Sequence, residues 1–148
     1  MTLEIKANVI DIQNDIPRKS DIFLVDTNVW LWQSYENAGF TAKPYQINDY
    51  PEYLDKAREQ GATLSYSVLT LAELASVIER IERDIYNQSN GLSLKPKDYR
   101  HNYPNERAKV VKKVESVWTQ IESIAISADR KTGRKPLASR HGVKPVAA

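Results

Sequence analysis

The chain has 148 residues, no cysteine, two histidines and a net charge of +2. The length allows one domain with a core of its own. The missing cysteines exclude disulfides, thiolate metal sites and cysteine nucleophiles, and His101 and His141 in polar surroundings leave no basis for a histidine-rich metal site or a Ser-His-Asp triad. The N-terminal stretch mixes charges with single apolar residues, unlike a signal peptide, and no apolar run approaches the roughly 20 residues of a membrane span. These features predict a cytoplasmic protein with no membrane partner. The charge is unevenly placed: Arg130, Lys131, Arg134, Lys135, Arg140 and Lys144 crowd the end, leaving 15 basic against 18 acidic side chains in residues 1–128. A basic tail attracts nucleic acid electrostatically, or is simply solvated.

Residues 1–20 show no clear period and read as an arm or edge strand ahead of the first regular element. Residues 21–26 then read as a strand buried on both faces, because Ile22-Phe23-Leu24-Val25 runs straight into Asp26, Thr27 and Asn28. Asp26 falls at the carboxyl end of that strand, where open parallel sheets place their ligands. Thr27 or Asn28 can cap a helix over about 28–38, which Gly39 ends. Its N-terminus is a favourable place for a metal-binding acid.

Residues 40–49 read as a loop. Asp49-Tyr50-Pro51-Glu52 then signals a helix start, and Gly61 closes that helix. Residues 62–66 read as a second strand, parallel to the first because a helix separates them. A long helix follows over 67–87, its stripe formed by Leu74, Ile78, Ile81 and Ile85, with Glu79, Arg80, Glu82 and Arg83 as solvated charges beside it. Residues 87–103 read as a turn-rich connection. Pro104 opens the last helix, striped by Val110, Val114, Val117, Ile121 and Ile124 and ending near Ser127. No strand is expected after it, and residues 128–148 read as a disordered basic tail.

The second acid of interest is Glu73, in the first turns of the helix after the second strand. A parallel sheet puts the ends of both strands on one edge, so Asp26 and Glu73 can converge. Two carboxylates without histidine or cysteine suit a hard cation, Mg²⁺ or Mn²⁺. Each acid also has a purely structural reading, Asp26 as a helix cap and Glu73 as the capping-box partner of Thr70.

Leu24-Val25-Asp26-Thr27-Asn28-Val29-Trp30, followed in order by Leu69-Thr70-Leu71-Ala72-Glu73-Leu74, resembles the two N-terminal motifs of the PIN-domain family of ribonucleases. The resemblance covers about residues 20–127, and the long helices look like the larger PIN proteins rather than the compact toxin type. It implies an α/β, PIN-like three-layer fold, a short parallel sheet flanked by long helices, over residues 21–127. It also implies metal-dependent hydrolysis of RNA phosphodiester bonds, with Asp26 a direct ligand of Mg²⁺ or Mn²⁺. Glu73 becomes a second ligand or the group that orients the water, and Thr27 or Asn28 supports Asp26 from behind. Tyr66 and Arg100 are further candidates to face RNA. The family continues with more acids and another strand, whereas here only Asp129 follows as a candidate third acid. The resemblance therefore implies an incomplete, C-terminally truncated domain. An RNA substrate is the implied partner. A toxin role would add an antitoxin-like protein, and a non-catalytic interaction module or self-association is the alternative.

Overall fold

The structure, a computed structural model, describes residues 10–129 and 144–147. Its centre is β1 (Ile22–Val25), where the unbroken apolar run forms a strand of four residues. On one side β1 pairs in parallel with β2 (Thr63–Tyr66), Phe23 standing opposite Leu64. Beyond β2 lies β3 (Ile126–Ser127), and on the far side of β1 lies β4 (Lys144–Val146). Among the described residues the sheet therefore has four parallel strands in the order β3-β2-β1-β4. The expectations of no later strand and of a wholly disordered tail are corrected here. A two-residue strand is too short to show a period. The Lys-Pro-Val segment reads as loop because proline cannot donate to a ladder, yet an edge strand tolerates it. The rest of the basic tail, residues 130–143 and 148, and residues 1–9 of the N-terminal arm lie outside the described residues.

Among the described residues five α-helices connect and cover these strands: α1 (Thr27–Ser34), α2 (Pro44–Glu59), α3 (Thr70–Asn90), α4 (Pro96–Asn102) and α5 (Pro104–Ile124). Phe23, Val25, Leu64 and Val146 from the sheet share one core with Trp30 of α1, Leu54 of α2, Ile78 of α3 and Ile121 of α5. Each of those four helix side chains is completely buried, which contributes about 2 kcal/mol or more apiece. Successive strand residues point to opposite faces. Ile22 and Leu24 accordingly look away from this core and are 39% and 40% exposed. The strand expected to be buried on both faces is thus covered on one face by the described residues.

α2 begins at Pro44, five residues earlier than the Asp49 signal predicts. Pro44 opens the helix, and the Gln46 side chain accepts the Lys43 backbone N–H at 2.8 Å. Pro51 lies inside the helix. It costs a backbone hydrogen bond, but Tyr50 packs on Trp32 and Tyr53 packs edge-on against Phe23, holding the segment against the core on both sides. The turn-rich 87–103 connection contains the end of α3, closed by Gly91 at φ 61°, and then α4. Residues 10–20 form turns rather than a strand. They are tied to α2 by Tyr53 donating to Asp15 and by Gln13 donating to Asp49 at 3.1 Å. Among the described residues no helix is long and apolar enough to cross a membrane.

Candidate functional site

The chain runs from β1 outward through β2 to β3, and β4 then lies on the opposite side of β1. The reversal falls at β1, and in open parallel sheets the carboxyl edge at such a reversal is where ligands bind. Asp26 stands there. Its backbone N–H donates to the Val146 carbonyl at 2.9 Å, so β4 fixes the position of its backbone. Its side chain caps α1 by accepting the Asn28 N–H at 3.1 Å. The cap of α1 is thus Asp26 itself, not Thr27 or Asn28. The helix-cap reading of Asp26 is correct as far as it goes, and the capping geometry also holds the carboxylate in one exposed orientation.

Glu73 approaches from α3. It is not the capping-box partner of Thr70: the Thr70 hydroxyl takes the Ser67 N–H at 3.2 Å, and the Glu73 carboxylate turns toward α1. The Thr27 hydroxyl donates to Glu73 Oε2 at 2.5 Å, joining residues 46 positions apart. Asp26, Thr27, Asn28 and Glu73 line one open cleft of about 410 Å³, whose remaining wall is Ala72, Ser76 and Val77 of α3. The small side chains of Ala72 and Ser76 leave space above the helix beside both acids. The structure therefore brings together both predicted acids and both predicted supporting residues.

Asp129 is placed differently. Its Oδ2 accepts the Val68 N–H at 2.7 Å just ahead of α3, and it does not line the cleft. Among the described residues no group of three or more His, Cys, Asp or Glu side chains is gathered as a metal site. The donor set of the cleft is two carboxylates with a hydroxyl and an amide beside them. These are hard oxygen donors, and Mg²⁺ is commonly held by one or two carboxylates with waters and substrate phosphates completing its shell.

Two other acids on α3, read from the sequence as solvated, are buried. Glu82 is 1% exposed and Glu79 is 9% exposed. Glu82 accepts from the Tyr35 hydroxyl and from Asn37 Nδ2 at 2.9 Å, with Lys113 and Lys109 at 3.6 and 3.7 Å. Burial pushes its carboxyl up, but the two hydrogen bonds and the two lysines outweigh burial and hold it below the usual glutamate range. Tyr35 responds in the opposite sense, raised by burial and by the carboxylate it donates to. Glu79 is forked by Arg100 at 2.6 Å and met by Arg107 at 3.0 Å. Those hydrogen bonds and charges lower its carboxyl against the cost of burial. Arg100, a candidate to face RNA, is thus engaged on Glu79, and Tyr66, the other, packs edge-on against Trp118. The sequence did carry a sign of the Glu82 network. Leu74, Ile78 and Glu82 form an i, i+4, i+8 series that places the acid on the buried stripe.

Comparison with family models, with curated proteins and with solved structures finds no match for this chain.

Proposed function

We propose that the chain is a PIN-like metal-dependent endoribonuclease, built on the family's three-layer plan, with Asp26 and Glu73 as its metal-binding and catalytic pair. One observation carries this reading: the acids of two separate motifs line a single cleft at the carboxyl edge of a parallel sheet, with Thr27, the neighbour of Asp26, donating to Glu73. Mg²⁺ or Mn²⁺ would polarise the phosphodiester and lower the pKa of a water beside it. Asp26 is the direct ligand, its carboxylate aimed by the Asn28 N–H. Glu73 is the second ligand or orients the attacking water, and the Thr27 hydroxyl holds it in place. Asp129 enters the proposal only as a candidate third acid at the neighbouring end of α3. The openness of the cleft supports a polymeric substrate, whose backbone can cross the surface, over a small molecule that needs enclosure. A toxin role belongs to the same proposal.

The test is cleavage of an end-labelled RNA by protein stripped with EDTA and then given Mn²⁺. Internal cuts that appear only with the metal support the reading; a wild-type protein that leaves RNA intact with Mn²⁺ present sinks it. A second reading, a non-catalytic protein-interaction module, is favoured by a separate observation, the open apolar groove between α3 and α5.

A further inference from the structure

A concavity larger than the acidic cleft lies on the other side of α3's first turns. Between α3 and α5 runs an open groove of about 1150 Å³. Its floor includes Leu71 and Ala75 of α3 and Val110, Val111 and Val114 of α5, with Trp118 beside them. Leu71 and Val111 are 40% and 39% exposed, so apolar side chains face solvent along both helices. Apolar surface gathered in a groove and rimmed by charge marks an interaction site. The rim here leans to one sign: Arg80, Arg83, Arg100 and Arg107 line it against Glu79 and Glu115. Glu79 is engaged by Arg100 and Arg107, and Arg83 pairs with Asp84, so the four arginines stand against three carboxylates and Arg80 is the rim arginine outside these ion pairs.

We propose that this groove docks an amphipathic helix of a partner protein, one that presents an aliphatic stripe flanked by carboxylates. The lining runs over residues 71–83 of α3 and 107–118 of α5, about 18 Å at 1.5 Å per residue, which takes a helical ligand of about three turns. Charge selects the occupant. A second copy docking through the same face would set arginines against arginines. The chain's own 130–143 segment carries five basic residues and no acid, and the same rim repels it. A nucleic acid would satisfy the arginines, but single strands are held by bases stacked on aromatic faces. The floor here is aliphatic, and the ring of Trp118 meets Tyr66 edge-on at 4.8 Å between centroids. Ala72 and Ser76 line both this groove and the Asp26–Glu73 cleft, so the docked helix would lie beside the acids. The proposal does not depend on what those acids do.

Two labelled helical peptides test it, each with leucines at i, i+4, i+7 and i+11, one flanked by glutamates and the other by lysines, titrated into the full chain at low salt. The glutamate peptide is expected to bind at least about ten-fold tighter, the gap closing as salt is raised. Arg80→Glu should narrow that gap, and the Leu71→Ser/Val111→Ser pair should weaken the glutamate peptide about ten-fold. Circular dichroism of both variants should match the wild type, since these side chains are exposed. Equal binding of the two peptides, or none up to about 1 mM, overturns the proposal. So does an oligouridylate that binds through Arg80 and Leu71 while the glutamate peptide is silent, or a dimer in solution that Val111→Ser dissociates.

Discussion

Thr27, the chain neighbour of Asp26, donates to Glu73, and its hydroxyl is the group to remove first. Thr27→Val keeps the shape and deletes the hydrogen bond to Glu73. Because Glu73 is exposed and Thr27 only half-buried, the melting temperature should hardly move, a change within about 0.5 kcal/mol. Loss of a group that orients a ligand commonly costs about ten-fold, so Mn²⁺-dependent RNA cleavage should fall by that factor. Unchanged cleavage would remove Thr27 from the site. Glu82 makes the opposite prediction, a stability effect away from the cleft. Glu82→Ala leaves the Tyr35 hydroxyl and Lys113 facing a hole and should cost about 3 kcal/mol in urea unfolding. The pH dependence has a definite sign. The folded carboxyls of Glu79 and Glu82 lie below the ordinary value of 4.5. The unfolded chain therefore takes up protons first as pH falls, and their stabilisation, complete above 4.5, is lost as pH drops through the folded values. Denaturation midpoints measured on either side of 4.5 should fall with acid, and the Glu79→Gln/Glu82→Gln chain should show a shallower fall. An equal fall in that variant would contradict this assignment.

The elements differ in how openly the sequence announces them. β1, α3 and α5 are legible because each has an apolar run or a sustained stripe, and β2 because Gly61 and Ser67 bound a short, partly β-branched stretch. The fold class and the convergence of Asp26 with Glu73 follow from those four. α2 is misread by five residues at its start because two prolines compete as helix openers, and local hydrogen bonding by Gln46, not the Asp49-Tyr50-Pro51 signal, decides between them. The spacing of Leu74, Ile78 and Glu82 hints that Glu82 is buried, but the partners of Glu79 and Glu82 are hidden because they lie on other elements: Tyr35 follows α1, Arg100 is on α4, and Lys113 is on α5. Only the packed fold brings those cations and donors to the acids. At the end of α3, Gly91 holds φ 61° with nothing around it that an added Cβ would touch. Gly91→Ala should therefore cost about 1 kcal/mol through the backbone alone, read as a small drop in melting temperature. A rise would show that the left-handed cap does not persist.

At the scale of the whole molecule, β4 is the feature the sequence conceals and the site depends on. A strand of three residues with a central proline, in a stretch rich in basic residues, offers no pattern, and only its pairing with β1 defines it. It supplies the acceptor for the Asp26 N–H and buries Val146 in the core. Ending the chain at residue 143 should cost about 3 kcal/mol from that apolar contact and the lost ladder. It should also loosen Asp26, so that thermal melting and metal-dependent cleavage fall together; an unaltered melt would refute a structural role for β4. The central claim is that Asp26 and Glu73, brought together from two motifs, form one metal-dependent RNA-cutting site. The most direct measurement is Mn²⁺-dependent cleavage of RNA by the wild type beside Asp26→Ala and Glu73→Ala, all three checked for equal folding. The claim predicts cleavage by the wild type that both substitutions abolish. Cleavage that survives either substitution, or a folded wild type that cuts nothing, would contradict it.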